Sequence, residues 1–332
     1  MMRLGVIIAA LLTAVSCVRR PAYVFNEGGV FGTSYHIAYQ SPDGRDLHDE
    51  IKEEMARVNH SLSMFDSTSV ISCINRNVDV TPDSLFLHVF NAAQDISEVT
   101  GGAFDITVAP LVNAWGFGFR HKETVTQTLL DSLLQFVGYR KVRLQDGRVV
   151  KEHPSSMLDC SAIAKGFGCD VIAALLREHG CRNYMVEIGG EVVACGLNSK
   201  GLIWRIGIRK PSDNAAFGNT ELYAVAALPA QAMATSGNYI NFYEEDGVKY
   251  AHTIDPHTGR PVQHSLLSAS VIADNCLTAD AYATAFMVLG FDASKELLAT
   301  RSDMQACFIL DDNNGGFKTW MTEGFGNFLQ DN

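Results

Sequence analysis

The chain has 332 residues, of which 47% are hydrophobic and 19% are charged, and its formal net charge at pH 7 is −11. These proportions are typical of a well-packed globular protein with one large domain or two small ones. The negative balance argues against a nucleic-acid-binding surface, because such a surface needs clustered basic residues. A small anionic ligand remains compatible with it, since a metal ion and a few local cations can hold one.

The first 17 residues have the pattern of a bacterial lipoprotein signal peptide. Arg3 supplies a short positive region, residues 4–15 are apolar, and small residues precede Cys17. The apolar run is too short for a permanent membrane-spanning helix. We therefore expect acylation at Cys17 and a lipid-anchored position in the cell envelope, facing the periplasm or the exterior, with ordinary secretion as the alternative. Residues 18–26 would form a tether, and residues 27–332 would form a single folded body.

Hydrophobic periodicity predicts a mixture of strands and helices along this body. Alternation and turn signals predict strands over residues 30–39, 141–144, 149–151, 184–188, 191–195, 204–208, 223–228 and 304–310. Helical spacing predicts helices over 47–62, from a Thr81 N-cap to residue 99, over 129–137, from Lys165 to Gly180, and from a Thr278 N-cap onward.

Turn signals and missing motifs narrow the fold class. Asp146-Gly147 and Gly189-Gly190 are strong hairpin signals, residues 234–239 predict a turn, and residues 315–332 predict a polar tail. The aromatic stretch 113–119 predicts either a ring-lined pocket wall or a local core. The sequence carries no P-loop, no zinc-protease motif, no nucleophile elbow and no complete dinucleotide fingerprint. We therefore expect an α+β protein in which mixed, largely antiparallel sheets pack with helices.

Asp280 and Thr284 lie four residues apart at the start of a predicted helix, so their side chains share one face. A carboxylate beside a hydroxyl suits a hard cation such as Mg²⁺, which prefers oxygen ligands. The free N–H groups of the helix start, after a Thr278 N-cap, would favour a phosphate. The alternative is that Asp280 only complements the helix dipole and that Thr284 only packs.

Two further residues have both a chemical and a structural interpretation. His252 follows a β-like run and shares a face with Val248 and Ile254 by period-two counting, so it is either a base or a hydrogen-bonded core histidine. Lys165 lies near a helix N-terminus, where the helix dipole disfavours a cation. It makes sense beside a bound anion, although a lysine that reaches solvent would give the same pattern.

Nine short stretches, taken together and in order, resemble motifs of the FAD:protein FMN transferases of the ApbE family. They are FGT at 31–33, LSMFD at 62–66, GAFD at 102–105, WGFG at 115–118, DCSAIAKG at 159–166, IGG at 188–190, ATSG at 234–237, HTIDPHTG at 252–259 and DAYAT at 280–284. Each stretch alone is a weak signal, but their common order makes the resemblance specific.

The resemblance implies that residues 27–332 form a catalytic domain that uses Mg²⁺ to transfer FMN from FAD to a Thr or Ser hydroxyl of a target protein, releasing AMP. It implies that His252 helps to deprotonate this hydroxyl, and that the metal ligands are Asp280, Thr284 and backbone oxygens near Ala162 and Ala283. The implied FAD contacts are Phe31, Phe65, Trp115, Gly116, Phe117, Asp159, Lys165 and Ile254. We expect the acceptor to be a membrane redox subunit.

The chain departs from the family pattern at several positions. Phe31 stands where Met is common, and Phe65 stands where Tyr is common. Residues 160–162 (CSA) replace a Leu-Gly-Gly-like run. Glu187 and Glu191 flank the Gly-Gly hairpin where Asn and Asp are usual, so a polar role there stays open.

Two other functions remain as alternatives. The first is Mg²⁺-dependent hydrolysis of FAD to FMN and AMP, in which water replaces the protein hydroxyl at the same site. The second is a non-catalytic lipoprotein that binds flavin, which would need the rings but neither Asp280 nor His252. The presence of both residues disfavours the second alternative.

Overall fold

The computed structural model describes residues 22–118, 124–211, 221–238, 242–245, 248–312 and 314–330. The strands in these ranges are β1 Tyr23–Val30, β2 Thr33–Gln40, β3 Val142–Gln145, β4 Arg148–Lys151, β5 Tyr184–Ile188, β6 Glu191–Cys195, β7 Trp204–Arg209, β8 Leu222–Leu228, β9 Ala232–Gly237, β10 Phe242–Glu245, β11 Val248–Ala251, β12 Leu266–Ala273, β13 Met304–Asp311 and β14 Phe317–Met321. The helices are α1 His48–Leu62, α2 Val70–Asn75, α3 Ser84–Val99, α4 Ala109–Ala114, α5 Gln127–Leu134, α6 Ala164–Glu178, α7 Cys276–Ala299 and α8 Glu323–Gly326. Over the described ranges, no helix combines the length and hydropathy needed to cross a membrane.

Eight strands form the main sheet in the order β1-β2-β5-β6-β9-β12-β13-β14. Every neighbouring pair in this sheet is antiparallel. The pairs β3–β4, β7–β8 and β10–β11 are separate antiparallel hairpins. The expected α+β class with largely antiparallel sheets is therefore confirmed.

The two glycine-containing hairpin signals are also confirmed. Asp146 and Gly147 join β3 to β4 with φ angles of 51° and 73°. Gly189 and Gly190 join β5 to β6 with φ angles of 63° and 107°. Positive φ at both central residues is what a tight two-residue hairpin turn of this type requires, and it explains the residue choice.

Alternation along β2 shows how the sheet divides the core into layers. Ile37 and Tyr39 are buried among residues of α1 and α6, on the face that the long helices cover. Ala38 lies between them in sequence and packs on the other face, with Trp204 of β7 and Phe325 of α8. This period-two pattern shows that the sheet is covered on both faces.

Helices α6 and α7 cross at close range beside the sheet. A Cβ atom at Gly166 would lie 2.3 Å from the carbonyl oxygen of Cys276, so only glycine permits this approach. The Asp170 carboxylate accepts hydrogen bonds from the N–H groups of Cys276 and Leu277, at 2.8 Å each. These contacts fix the start of α7 against α6.

Both predicted N-caps are wrong by two or three residues. The α7 cap is Asn275, whose side chain accepts a hydrogen bond from the Thr278 N–H at 2.8 Å. The α3 cap is Asp83, which accepts from the Phe86 N–H at 2.8 Å, so Thr81 lies outside the helix. In each segment two capping residues compete, and the one whose side chain reaches the N–H group three residues on forms the cap.

Other differences concern segments whose neighbours in space decide the structure. Residues 234–237 continue β9 in the middle of the sheet and do not form the predicted turn, and Tyr239 lies outside the described residues. The predicted strand 30–39 is divided at Phe31-Gly32, and β1 begins at Tyr23, inside the segment expected to be a tether. The predicted polar tail contains β14 and α8.

Candidate active site

The charged centre of the site consists of Lys165, Glu191 and Asp280, which α6, β6 and α7 contribute. Lys165 Nζ lies 2.7 Å from Glu191 Oε1 and 3.9 Å from Asp280 Oδ1. Asp280 Oδ2 accepts a hydrogen bond from the Gly166 N–H at 3.0 Å. Both carboxylates are almost fully buried. The packing of three elements therefore holds one cation and two acidic groups together.

Burial and charge act in opposite directions on these groups. Burial lowers the pKa of Lys165, but the charges of Asp280 and Glu191 outweigh this effect and raise the pKa overall. Burial first, and the charge of Asp280 second, raise the pKa of Glu191 to about 7, against the opposing effect of Lys165. Glu191 Oε2 is buried without a hydrogen-bond partner among the described residues. The charged centre thus has an unused acceptor oxygen, which suits an additional cation.

Further oxygen atoms suited to a hard cation lie on the segments that carry the charged centre. Thr284 follows Asp280 by one turn of α7, and its Oγ1 lies 3.2 Å from Ser236 Oγ on β9. Ala162 is half-buried in the turn before α6, and Ala283 is buried on α7. Within the described ranges, no cluster of three or more His, Cys, Asp and Glu residues could hold a metal. A metal here would need hydroxyl and backbone oxygens besides the carboxylate, a donor set that fits Mg²⁺.

The turn between β1 and β2 lies beside the charged centre. Phe31 in this turn has a left-handed φ of 50°, and its ring covers Gly168, where an added Cβ would lie 2.7 Å from it. A Cβ at Gly189 would meet both Thr33, at 2.8 Å, and the aliphatic part of Lys165, at 3.2 Å. The structure therefore brings the Phe31 turn, the Gly-Gly hairpin and Lys165 together.

Asp159 organises the segment that leads into α6. Its carboxylate is almost fully buried and accepts a hydrogen bond from the Ser161 N–H at 2.7 Å. Burial raises the pKa of Asp159. Its own N–H donates to the Ile106 carbonyl at 2.6 Å, which ties the segment to the loop before α4. These bonds hold the turn that carries Ala162.

Trp115 and Ile254 are buried in a small hydrophobic cluster of their own, which also contains Leu111, Leu130 and Val137. Trp115 Nε1 donates a hydrogen bond to the Gly259 carbonyl at 2.7 Å. This bond joins the aromatic loop, in which Gly116 is exposed with a φ of 81°, to the turn that follows His252. Both buried residues therefore have a packing role in addition to any contact with a ligand.

His252 lies just after β11 and is half-buried. The Phe117 ring meets its imidazole edge to face, with the centroids 6.4 Å apart. The Asp255 carboxylate accepts hydrogen bonds within its own turn, from the His257 N–H and the Thr258 hydroxyl, at 2.9 Å each. The aromatic loop thus packs against His252, and Asp255 shapes the turn that follows.

Phe65 differs from the buried FAD contacts that the resemblance implies, because the residue is 71% exposed. It lies in the loop after α1, and its N–H donates to Ser63 Oγ at 3.2 Å. An exposed ring on a hydrogen-bonded loop is available to stack on a planar ligand.

Two acidic residues have roles at the site that the sequence did not predict. Asp170 was not singled out, and a polar role for Glu191 was left open. Glu191 makes the shorter of the two ion-pair contacts of Lys165. Asp170 fixes the start of α7, although nothing singled it out in the sequence. The available signal was its position next to the helical neighbours Gly166 and Phe167, which are buried, because a carboxylate in such surroundings needs a partner.

The profile of the ApbE family matches residues 31–308, and the chain belongs to this family. One similar protein is the FAD:protein FMN transferase of Vibrio cholerae, which is 35% identical over 333 residues covering 98% of each chain. Another is the FAD:protein FMN transferase of Haemophilus influenzae, which is 37% identical over 328 residues covering 94% of this chain and 93% of that protein.

Solved structures show the same architecture. The flavin transferase ApbE from Vibrio cholerae superposes with a TM-score of 0.84 at 34% identity, covering 93% of this chain and 99% of that chain. The apo form of the flavinyl transferase ApbE from Pseudomonas stutzeri superposes with a TM-score of 0.83 at 29% identity, covering 94% and 98%. The family resemblance and the fold class are therefore both confirmed.

Proposed function

We propose that the chain is a Mg²⁺-dependent enzyme that transfers FMN from FAD to the hydroxyl of a Thr or Ser in a target protein and releases AMP. The observation that carries this proposal is the buried charged centre, in which Lys165 lies 2.7 Å from Glu191 and 3.9 Å from Asp280. Phosphoryl-type transfer depends mainly on positioning and charge neutralisation, which such a centre provides. The activity that the similar proteins carry in their names supports the same reaction.

Asp280 and Thr284 would hold the Mg²⁺ ion, together with the backbone oxygens of Ala162 and Ala283. When bound, the ion supplies positive charge against the FAD diphosphate. The buried, unpartnered oxygen of Glu191 supports the presence of a further cation at this centre. Lys165 would contribute a second positive charge to the same anion.

The transfer itself needs a base at the acceptor hydroxyl. The hydroxyl oxygen attacks the phosphorus of the FMN half of FAD, a new P–O bond forms, and the P–O bond to AMP breaks. The hydroxyl proton passes to His252, and AMP leaves as the phosphate monoester. The edge-to-face contact with Phe117 supports this role, because it holds the imidazole beside the aromatic loop proposed to contact FAD.

The ring systems of FAD would lie against aromatic side chains on two sides of the charged centre. Phe31 is next to Lys165 through the Gly168 and Gly189 contacts, and Phe65 offers an exposed ring. Trp115 and Phe117 lie on the loop bonded to the turn after His252. Rings on separate loops can adjust to a large, flat ligand.

We also propose that the chain acts outside the cytoplasm as a lipoprotein acylated at Cys17. The support is the apolar segment that ends at a cysteine after small residues. The acceptor would then be a membrane redox subunit exposed on the same side. Labelled palmitate should enter the wild-type protein and not Cys17→Ser, and a mature chain that begins at another residue would contradict the proposal.

The decisive experiment is incubation of the enzyme with FAD, Mg²⁺ and candidate redox subunits, followed by intact mass measurement. A true acceptor should gain the mass of FMN less one water, in step with the AMP released. Replacing the modified Thr by Val in that subunit is the matched control and should abolish the gain.

An FAD pyrophosphatase would give a different result. It would release AMP and free FMN at the same rate whether or not a subunit is present, and no subunit would gain mass. This outcome would leave the FAD and metal assignments intact and contradict the transferase proposal.

A further inference from the structure

The two ends of the strands β1, β2, β5 and β6 differ in character. One end carries the Phe31 turn, the Gly-Gly hairpin and Glu191, and therefore the candidate active site. The opposite end carries a cavity of about 590 Å³, whose lining includes Tyr23, Gln40, Asn183 and Leu197. Tyr23 pairs with Gln40 in the sheet, so the cavity begins where β1 begins.

Exposed apolar side chains lie at this end of the sheet: Phe25 and Leu197 line the cavity, and Leu202 and Ile203 directly follow its lining residue Gly201 in the chain. Phe25 is 67% exposed and Leu202 is 58% exposed, and Leu197 and Ile203 are exposed as well. We call these four residues the apolar face. Nine large hydrophobic side chains are exposed among the described residues, and four of them belong to this face. Such a concentration marks an interaction surface, because scattered exposed residues would not cluster at one end of a sheet.

The loop that carries Leu197, Leu202 and Ile203 is held in place by hydrogen bonds. The Asn198 N–H donates to the Leu202 carbonyl at 2.7 Å, and the Tyr23 hydroxyl donates to the Leu197 carbonyl. Tyr23 also meets Trp204 edge-on, with the ring centroids 6.2 Å apart. The exposure of these apolar side chains is therefore fixed by the fold.

The start of the folded chain indicates what covers this face. β1 begins at Tyr23, six residues after Cys17. An extended chain spans at most about 3.6 Å per residue, so a lipid on Cys17 would lie within roughly 20 Å of Tyr23. Arg19 and Arg20 in the connecting segment, and the exposed Lys200 in the loop, supply positive charge that suits anionic headgroups.

We propose that the apolar face rests on the phospholipid bilayer that holds the Cys17 anchor, with Phe25 and Leu202 inserted among the headgroups. The inference rests on the proposed lipid anchor and is independent of the proposed chemistry. The anchor alone tethers the protein, whereas the apolar face also orients it. The active site then lies at the ends of the strands that point away from the bilayer.

The test uses the mature chain with Cys17→Ser, which lacks the lipid, and vesicles of phosphatidylethanolamine and phosphatidylglycerol. Vesicle partitioning by sedimentation should fall roughly tenfold or more when Phe25→Ser and Leu202→Ser are combined, since two inserted apolar side chains are lost. The matched control combines Phe317→Ser and Leu222→Ser, which are exposed residues of the same types elsewhere. The control should bind as the parent chain does.

Failure to bind vesicles, or equal binding by the Phe25→Ser/Leu202→Ser variant, would overturn the inference. The inference would also be overturned if the parent chain were a dimer, the Phe25→Ser/Leu202→Ser variant were a monomer and both bound vesicles equally. The apolar face would then join two copies of the chain. Melting temperature and FMN transfer in detergent-free solution should be the same in all variants. Normal vesicle binding without FMN transfer in any of them would count against the proposed function alone.

Discussion

The charged centre and the aromatic residues of the candidate site are built in different ways. Lys165, Glu191 and Asp280 are held by hydrogen bonds and by the crossing of α6 and α7, so the fold fixes their positions. Phe65 is open to solvent, while Trp115 belongs to a small core of its own. The fold therefore preorganises the charged centre, whereas loops supply the aromatic residues that are proposed to contact FAD.

The largest expected effect comes from removing the carboxylate of the charged centre. Asp280→Ala should lower FMN transfer roughly 10³-fold or more, because the proposed metal ligand is lost. Thr284→Val should be milder, since a neutral hydroxyl contributes less than a carboxylate. The measurement is the single-turnover rate over a range of Mg²⁺ concentrations.

Asp292→Ala is the control for Asp280→Ala, because Asp292 is an exposed acid on the same helix. It should leave the transfer rate unchanged. Near-normal transfer by Asp280→Ala at low Mg²⁺ would show that the metal is held elsewhere.

His252→Ala should lower the transfer rate roughly 10²- to 10⁴-fold, the usual range for loss of a general base. FAD affinity and melting temperature should change little, because His252 is proposed as neither an FAD nor a metal ligand. His60→Ala, at an exposed histidine on α1, is the control. If the rate, the affinity and the melting temperature all fell together, His252 would be a structural residue.

Two aromatic substitutions should sharpen the comparison between the loops and the core. Trp115→Ala should cost about 3–5 kcal/mol in the free energy of unfolding, because a buried indole and its bond to Gly259 are lost. Phe65→Ala should change it by less than about 0.5 kcal/mol and should weaken FAD binding. Urea unfolding and FAD titration on both variants measure the two quantities. Equal loss of stability would show that the Phe65 loop is part of the core.

Asp170, at the crossing of α6 and α7, should make the free energy of unfolding depend on pH. Burial raises the pKa of Asp170 to about 6, above its value of roughly 3.9 in an unfolded chain. A carboxyl group with a raised folded pKa favours the folded state most below pH 4, and this contribution is lost as the pH rises through 6. Two pKa units correspond to about 3 kcal/mol as an upper bound.

Asp170→Asn should therefore flatten the dependence of the unfolding free energy on pH between 4 and 6, as measured by urea unfolding at several pH values. The Asp292→Ala variant should keep the wild-type slope. An unchanged slope in Asp170→Asn would mean that Asp170 is not responsible for it.

The fold class and the Asp280–Thr284 pair could be predicted because local patterns encode them. Helical spacing places both side chains on one face without reference to the rest of the chain. The two glycine hairpins are equally local, since positive φ angles restrict the residues that can occupy the turns. Local pattern alone does not determine the α7 cap, because Asn275 and Thr278 can both cap a helix.

Other features depend on contacts between distant segments. Residues 234–237 of β9 are small and include two hydroxyls, so they match the composition of a turn, and only the pairing of β9 with β6 and β12 makes them part of a strand. Glu191 acquires its role because β6 brings it to Lys165, 26 residues earlier in the chain. The apolar face likewise forms only when the loop before β7, which carries Leu197, Leu202 and Ile203, meets the start of β1.

The length of β1 has a consequence for the choice of acceptor. Its eight residues span roughly 25 Å at the usual rise of a strand, from Tyr23 near the proposed bilayer surface to Val30 next to the Phe31 turn. The enzyme would then work at a fixed height above the membrane. Under the proposed anchoring, a Thr or Ser on a domain that projects this far would reach the site, whereas one at the membrane surface would not. The length of the strand would thus determine how far above the membrane a target residue must lie.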